Sequence, residues 1–350
     1  TLFPYTTLFR SVPKAKTSFA LGVPYDHGPI GFLSQSGGHA SNLPAFSALR
    51  GLRFSKIVSY GNALDIDEIE LLDYMADDPE TEIIGTYIEG VKEGRRFLAA
   101  LHNAAGKKPV IIYKGGKSEA GLRAAHGHTA SMISSVTIFD SVCKQANAIQ
   151  VNTIDECLDV MVAFRFLKTL PTRKRAVLFG SGGGPSVQAG DELEIAGLSL
   201  PRFSDQVQSD LKSVLPVDGG IFINPLDTVN LIEPDVIEAA LGILTRQPDL
   251  DIIVYHLGFH PIGMWGYGRF SEKSYLDRLM AVLKHARDQS DKAMIVALRP
   301  PEDLNAMKEF LDVQKVLVEH EFPVFHAIDR LALALNRVID WHVRFEKRKT

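Results

Sequence analysis

The chain has few of the features that mark metal sites, disulfide frameworks or membrane spans. Its 350 residues contain only two cysteines, Cys143 and Cys157, and these do not have the spacing of metal ligands. So few thiols exclude a disulfide framework and predict a reducing compartment, the cytoplasm. No apolar run approaches the roughly 20 residues that a membrane-spanning helix needs. The formal net charge of −4 favours neither a nucleic acid nor an anionic membrane as a partner.

The chain also lacks the two common nucleotide-binding fingerprints. Its most glycine-rich turn, at residues 182–184, is not followed by the Gly-Lys-Ser/Thr of a Walker loop. The spacing of that turn does not fit the dinucleotide fingerprint either, and no acidic residue ends a second strand where that fingerprint requires one. A nicotinamide-dependent dehydrogenase is therefore disfavoured.

Short apolar segments alternate with amphipathic ones along most of the chain. This alternation predicts parallel sheets with helices packed on their faces. The length is that of about two domains at roughly 150 residues each, and a polar, basic stretch separates two similar blocks. The sequence therefore predicts two consecutive doubly wound α/β domains, at residues 29–168 and 174–344.

The first residues are set aside in this prediction. Residues 1–11 match the in-frame translation of a sequencing-adapter oligonucleotide and are interpreted as an assembly artefact, with a natural start as the alternative. Residues 12–28 are irregular in composition and are interpreted as a linker from a missing domain. We therefore expect the natural protein to extend further upstream.

A loop containing two histidines follows the strand predicted at residues 109–113. His126 and His128 lie among small residues, with Gly127 and Thr129 beside them. The carboxyl ends of parallel strands are where open α/β sheets bind ligands. Together with glycine turns that can hold phosphate, this position indicates a histidine that is itself phosphorylated. The two histidines compete for the role of nucleophile, and a metal pair would lack a third ligand nearby.

Two glycine turns, each between a predicted strand and a helix, are candidate phosphate-binding sites. Glycine allows backbone amides to approach an anion, and a helix N-terminus supplies N–H donors with a partial positive charge. Each turn is equally compatible with simple strand-to-helix packing. The following helices are predicted at residues 40–50 and 187–196. The candidate residues are Ser34, Ser36, Gly37 and Gly38 in the first turn, and Gly182, Gly183 and Gly184 in the second.

Other polar side chains near predicted strand ends are further candidates for site residues. Glu89 ends a buried strand, where its carboxylate could bind one imidazole nitrogen and leave the other free to attack phosphorus. The alternative is a solvated strand end. Asn224 and Asp227 lie in a turn that Asx-type hydrogen bonds can hold, and they are interpreted first as structural, with lining of the site as the alternative. His39 is interpreted as a structural or supporting group.

Five segments of the first block together resemble the NDP-forming acyl-CoA synthetases, the superfamily that includes succinyl-CoA synthetase. The second block resembles the next domain of that family. The resemblance covers nearly everything from Pro29 to about Arg344 and implies two flavodoxin-like, succinyl-CoA synthetase-like domains. The segments are residues 34–38, 61–67, 77–81, 87–90 and 127–129 in the first block, and 182–185 and 224–227 in the second.

Enzymes of this family form acyl-CoA from a carboxylic acid, CoA and a nucleoside triphosphate, and release NDP and phosphate. The resemblance implies acyl-phosphate and phosphohistidine intermediates, with His128 as the carrier and Glu89 as the carboxylate that orients it. One helix facing the phosphate would begin at the first glycine turn. A second would begin at the turn of residues 182–184 or near Gly258. One departure is Ala130, where many relatives have glycine after His-Thr.

The resemblance also implies partners that the sequence does not contain. A CoA-binding Rossmann domain and an ATP-grasp domain or subunit would bind most of the CoA and of the NTP with its Mg, and no metal site is predicted in this fragment. We expect an oligomer that acts on a small carboxylic acid, without a nucleic-acid or membrane partner. The alternative is a non-catalytic regulatory or binding module on the same fold, such as part of an acyltransferase fusion.

Overall fold

A computed structural model describes residues 8–18, 26–123, 135–180, 182–216, 219–228, 231–258 and 272–349. The contacts divide the chain into two compact units. The first consists of Thr1–Arg165 together with Val343–Thr350, and the second consists of Phe166–His342. Each unit has its own sheet, and each is described by itself.

The described residues of the first unit form seven strands. They are β1 (Leu8–Val12), β2 (Thr17–Ser18), β3 (His27–Ser34), β4 (Phe54–Ser59), β5 (Ile83–Ile88), β6 (Val110–Lys114) and β7 (Ile149–Val151). Their order in the sheet is β2-β1-β4-β3-β5-β6-β7. Strands β3 to β7 are parallel, whereas β1 and β2 are antiparallel additions at one edge.

Helices connect the parallel strands of the first unit. The helix Glu68–Asp77 illustrates the interactions that stabilise these helices. Asp67 caps its N-terminus with a complete capping box, and Leu72 and Met75 on its inner face are fully buried. Short 3₁₀ turns occur at Pro13–Ala15 and Ala48–Arg50. The α-helices are Gly37–Ser47, Glu68–Asp77, Gly94–Lys107, Val136–Ala146 and Ile154–Phe166.

The described part of the second unit repeats this architecture with six strands. They are β8 (Ala176–Gly180), β9 (Ile221–Phe222), β10 (Leu226–Asp227), β11 (Ile252–Gly258), β12 (Ala293–Arg299) and β13 (Val324–Phe325), in the order β13-β12-β11-β8-β10-β9. Only β9 is antiparallel to its neighbour. The helices are Gly183–Ile195, Asp205–Val214, Pro234–Leu244, Lys273–Asp288, Leu304–Glu319 and Ile328–Lys349.

The structure confirms the predicted fold class of two doubly wound, mostly parallel sheets. It adds antiparallel edge strands that the sequence did not predict. Two of them, β2 and β9, have only two residues each, which is too short to show a hydrophobic period. Strand β1 falls in the segment that was set aside, where it pairs with β4. Within the described ranges, no helix combines the length and the apolar character that crossing a bilayer requires.

The end of the last helix returns to the first unit. Arg344 Nε donates a hydrogen bond to Asn147 Oδ1 at 2.7 Å, and Arg348 donates to the carbonyl oxygens of Ala146 at 2.9 Å and Gln145 at 2.6 Å. These carbonyls lie at the C-terminus of the helix Val136–Ala146. Cations stabilise this end of a helix because the last carbonyl groups have no partner within it.

A buried polar cluster joins the start of β5 to β4. Lys56 Nζ lies 2.7 Å from Asp78 Oδ2 and 2.9 Å from Glu80 Oε2, and Thr81 Oγ1 donates to Asp78 at 2.6 Å. Burial opposes the charge on Asp78, but the hydrogen bonds from Lys56 and Thr81 outweigh it and lower the pKa of this carboxyl. The hydrogen bonds of residues 78–81, within the segment that carries the family resemblance, therefore stabilise the turn that leads into β5.

We expect Asp78→Asn to lower the free energy of unfolding of the first unit by about 3 kcal/mol, because it leaves the buried Lys56 ammonium without its nearest carboxylate. The measurement is urea denaturation followed by circular dichroism. Asp77→Asn is the matched control, since Asp77 pairs with Lys107 on the surface with 72% of its side chain exposed. That change should cost less than about 1 kcal/mol. Equal losses for the two variants would contradict the prediction.

Candidate functional site

The order of strands in the first sheet creates a crevice beside β3. Strand β3 lies between β4 and β5, so the chain leaves β3 towards one edge and later continues the sheet on its other side. In open α/β sheets, ligands bind outside the carboxyl ends of the strands at such a switch point. The first glycine turn follows β3, and Glu89 follows β5. Both candidates therefore lie at the same crevice.

The backbone of Glu89 is fixed by two neighbouring side chains. Gln35 Oε1 accepts hydrogen bonds from the N–H groups of Glu89 at 2.7 Å and Gly90 at 3.2 Å. Lys114 Nζ donates to the carbonyl oxygen of Glu89 at 2.6 Å. Gln35 is 6% exposed and Lys114 is 1% exposed, so water does not compete strongly for these bonds. The carboxylate therefore projects from an immobile strand end.

The carboxylate of Glu89 is connected to a group of aromatic rings. Tyr87 donates its phenolic O–H to Glu89 Oε1 at 3.2 Å, and the centroid of its ring lies 4.4 Å from that of His39. Burial, and then the negative charge of Glu89, raise the pKa of Tyr87, so this phenol remains a donor. Burial lowers the pKa of His39, and the charge of Glu89 opposes that effect. His39 thus has a supporting place beside the carboxylate.

Tyr87 also restricts which residue can occupy position 115, at the start of the histidine-containing loop. Gly115 follows β6, and a Cβ atom on it would lie 2.4 Å from the Tyr87 hydroxyl oxygen. That distance is too short for any side chain at this position unless Tyr87 moves. The glycine therefore allows the loop to leave β6 directly beside the Tyr87–Glu89 hydrogen bond.

The serines of the first glycine turn hold the turn itself. Ser34 Oγ donates to the carbonyl oxygen of Ser36 at 2.7 Å and accepts from the Ser36 N–H at 3.1 Å. Ser36 Oγ caps the helix by accepting from the N–H of His39 at 3.4 Å. Both oxygens thus hold the turn, and the Ser36 O–H has no acceptor among the described residues.

The helix after this turn begins earlier than predicted, at Gly37 rather than near residue 40. Gly37 and Gly38 therefore occupy its first turn, where backbone N–H groups have no acceptor within the helix. No group in the described part of the chain accepts a hydrogen bond from either amide. Two unused donors at the positive end of a helix are suited to an anion.

The second unit has a switch point of the same kind. Strand β8 lies between β10 and β11, and residues 182–184 follow β8 while Gly258 ends β11. The two turns considered for the second phosphate helix therefore lie at one crevice. The ends of β8 and β11 approach closely: a Cβ atom on Gly180 would lie only 2.3 Å from the carbonyl oxygen of His256. The helix again begins within the glycines, at Gly183, with Gly182 at a φ of 81° as its cap.

Asn224 and Asp227 lie behind this second turn. The Asn224 side chain accepts from the N–H of Leu178 at 3.2 Å and donates to the carbonyl oxygens of Ala176 at 2.9 Å and Pro201 at 3.0 Å. This amide thereby joins β8 to the segments beside it. Burial raises the pKa of Asp227, and a hydrogen bond from the Gly182 N–H opposes the shift. Asp227 thus supports the backbone of the glycine turn.

The histidine proposed from sequence as the phosphoryl carrier cannot be placed. His128 lies outside the described residues, as do Gly127, Thr129 and His126. The described chain ends at residue 123 in a helical turn and resumes at residue 135. Among the residues that the structure does describe, no group of three or more His, Cys, Asp or Glu side chains could hold a metal ion.

Three residues that hold Glu89 were not singled out from the sequence. Gln35 stands between the two serines that were named, Tyr87 stands two residues before Glu89, and Lys114 ends β6. A buried lysine at a strand end is unusual and is the one local signal that sequence reasoning could have used. The others require knowledge of which strands are neighbours.

Comparison with known proteins identifies the first unit. Residues 27–164 match the model of the succinyl-CoA ligase like flavodoxin domain. The α subunit of ADP-forming acetate–CoA ligase II from Pyrococcus furiosus is 36% identical over 227 residues, which cover 65% of this chain and 49% of the relative. An ADP-forming acetate–CoA ligase from Archaeoglobus fulgidus is 34% identical over 229 residues, covering 65% of this chain and 33% of the relative.

A longer match extends into the second unit. The ADP-forming 4-hydroxybutyrate–CoA ligase of Nitrosopumilus maritimus is 27% identical over 319 residues, 90% of this chain and 43% of the relative. A solved structure of an acetyl-coenzyme A synthetase from Ca. Korarchaeum cryptofilum is similar with a TM-score of 0.77 and 24% identity, over 99% of this chain and 71% of that one. The structural likeness supports the fold of both units.

The first unit is thus similar to the NDP-forming acyl-CoA synthetases, as the sequence resemblance predicted. Its relatives are more specifically ADP-forming acid–CoA ligases. The chain spans about half or less of the length of these relatives, from 49% of the Pyrococcus furiosus subunit to 33% of the Archaeoglobus fulgidus ligase.

We expect Gln35→Met to accelerate hydrogen exchange at the Glu89 and Gly90 amides by about tenfold or more, because the variant removes their shared acceptor at nearly constant volume. The measurement is amide exchange by NMR or mass spectrometry. Gln145→Met on an exposed part of the same unit is the control and should leave both amides unchanged. Unchanged exchange in Gln35→Met would mean that this acceptor does not hold the strand end.

We also expect Glu89→Gln to move the titration of His39 to lower pH, because the variant removes the negative charge that favours the imidazolium while burial remains. The pKa of His39 is measured from its ring resonances by NMR, with His39→Gln to assign them. Glu93→Gln, an exposed acid on the following loop, should leave the midpoint in place. A shift to higher pH in Glu89→Gln would contradict the geometry.

Proposed function

We propose that the chain forms part of an ADP-forming acid–CoA ligase and carries a phosphoryl group on His128. The observation that supports this most directly is the fixed carboxylate of Glu89 at the crevice beside the helix N-terminus of Gly37. A transferable phosphoryl group needs both an oriented nucleophile and an anion site. The acid–CoA ligases among the relatives support the same reaction class.

The proposed chemistry is a phosphoryl relay. In the direction of nucleotide synthesis, phosphate displaces CoA from an acyl-CoA and forms an acyl phosphate. A neutral imidazole nitrogen of His128 then attacks phosphorus, and the bond from phosphorus to the acyl oxygen breaks to release the carboxylic acid. The phosphohistidine finally transfers its phosphoryl group to NDP, and acyl-CoA synthesis follows the same steps in reverse.

In this proposal Glu89 orients the nucleophile. Its carboxylate accepts a hydrogen bond from one ring nitrogen of His128, which selects the tautomer and leaves the other nitrogen free to attack. The attack generates positive charge on the ring, and the negative carboxylate stabilises it. The hydrogen bonds of the Gln35 and Lys114 side chains with the backbone of Glu89 keep the carboxylate in place.

The glycine turns supply the anion sites of the proposal. Each helix terminus is worth about 0.3–1 kcal/mol at exposed sites and up to ~2 kcal/mol when partly buried. Gly37 and Gly38 begin one helix, and Gly183 begins the other. Stabilisation of this size would hold a transient phosphoryl group without trapping it, which a carrier requires.

The remaining components of the proposed enzyme are a CoA-binding domain and an ATP-grasp domain or subunit. The relatives are longer than the matched region, which is consistent with further domains of this kind. The substrate is a small carboxylic acid. The relatives act on acids as different as acetate, 4-hydroxybutyrate and trans-ferulate, so the reaction class is shared more widely than the acid.

The direct test is phosphoryl transfer from radiolabelled ATP in the complete assembly, with the ATP-grasp protein present. We expect acid-labile label on this chain, and His128→Asn should abolish it because no nucleophile remains. Glu89→Gln should slow labelling by at least about 100-fold, since neutralising the carboxylate that orients a catalytic imidazole has cost about 10⁴-fold in a serine protease.

The matched comparison is His126→Asn, two residues away on the same loop. Labelling should persist in this variant, and the opposite pattern would assign the phosphoryl group to His126. Acid-labile label that survives replacement of both histidines would contradict the proposed carrier. No labelling of an otherwise active assembly would favour a non-catalytic module.

A further inference from the structure

The second unit contains a cavity beside the helix Gly183–Ile195, whose N-terminus alone the proposed phosphoryl relay uses. Its volume is about 240 Å³. It lies at the carboxyl ends of three parallel strands, with His256 from β11, Arg299 from the end of β12 and His326 after β13 in its lining. This edge of a doubly wound sheet is where such folds bind small molecules.

One side of the cavity is a single helix face. Pro185, Gln188, Ala189 and Glu192 recur at helical spacing along the helix Gly183–Ile195 and all line the cavity. The first residues of the last helix, including Asp329, close another side. The walls are therefore regular secondary structure rather than long loops, which keeps the arrangement of polar groups fixed.

Arg299 is an exposed residue of the cavity lining, and no carboxylate in the described ranges forms an ion pair with its guanidinium. Its neighbours in the cavity are otherwise engaged, since His326 Nε2 lies 2.6 Å from Gln314 Oε1 and Gln188 donates to Glu192 Oε1 at 2.6 Å. A guanidinium presents paired N–H donors that match the two oxygens of a carboxylate.

The acidic residues of the lining restrict the charge of a ligand. Glu192 and Asp329 share the cavity with the single arginine. A dianion such as phosphate or a dicarboxylate would place its second charge near these carboxylates. The second oxygen of Glu192 has no donor among the described residues and can accept a hydrogen bond from a ligand hydroxyl. The lining therefore favours one carboxylate and one hydroxyl on the same molecule.

We propose that this cavity binds a small hydroxycarboxylate, with its carboxylate on Arg299 and its hydroxyl donating to Glu192. The volume lies below the roughly 300 Å³ at which pockets for drug-sized ligands begin, so the ligand has only a few carbon atoms. The site is formed entirely by the second unit. It goes beyond the proposed phosphoryl transfer and does not depend on it.

Calorimetric titration of the full chain with 3-hydroxypropionate, in the absence of nucleotide and CoA, tests the proposal. We expect saturable binding with a stoichiometry of one. Arg299→Gln should weaken it by about tenfold or more, because a charge-assisted pair is lost. Arg202→Gln is the control, since Arg202 is exposed in the same unit and does not line the cavity.

Two further ligands test the chemical class. Propionate has the same carbon skeleton without the hydroxyl and malonate has a second carboxylate in its place, and both should bind at least several-fold more weakly. Tighter binding of malonate or of inorganic phosphate would overturn the proposed class. Because these titrations contain no nucleotide, their failure would leave the phosphoryl relay untouched.

The location is tested in the unaltered protein by NMR. Binding of 3-hydroxypropionate should shift the ring signals of His256 and His326 and leave those of His102, on a surface of the first unit, in place. Equal affinity in Arg299→Gln together with unmoved signals of His256 and His326 would place the ligand elsewhere and refute the proposal.

Discussion

The hydrogen bonds that Gln35 and Lys114 make to the backbone of Glu89 are the constraint on which the first crevice depends. They join three neighbouring strands, because Gln35 follows β3, Glu89 follows β5 and Lys114 ends β6. A parallel sheet brings these three ends to one edge but leaves the last backbone groups beyond each strand without ladder partners. The two side chains form hydrogen bonds with those groups. They thereby hold the end of β5, and with it the Glu89 carboxylate, in one position.

In both units a helix begins within a glycine turn that follows a parallel strand. The sequence showed glycine turns before two helices, and their positions were predicted correctly. The helix starts were placed about three residues too late, because glycine has a poor intrinsic helix propensity and was read as loop. In the folded chain the glycines belong to the first helical turn. There their N–H groups have no acceptor within the helix, and their lack of a side chain leaves these amides open.

The parts that could not be predicted depend on which strands are neighbours. Motif spacing was sufficient to single out Glu89 and the two turns, and hydrophobic alternation was sufficient for the doubly wound sheets. Gln35, Tyr87 and Lys114 carry no motif of their own and acquire their roles only when β3, β5 and β6 are adjacent. The cavity at Arg299 could be predicted even less, since its polar groups come from separate elements spread between residues 188 and 329.

The last helix has a consequence for how the chain can be assembled. Its end, with Arg344 and Arg348, caps the helix Val136–Ala146 of the first unit, although the whole second unit lies between them in sequence. On a ribosome, the earlier unit would therefore wait for its final stabilising contacts until the later unit had emerged. A truncation after Arg165, where the matched domain also ends, would remove Arg344 and Arg348 from the C-terminus of the helix Val136–Ala146. Any attempt to produce the amino-terminal unit alone should supply the terminal segment as a separate peptide or a fusion.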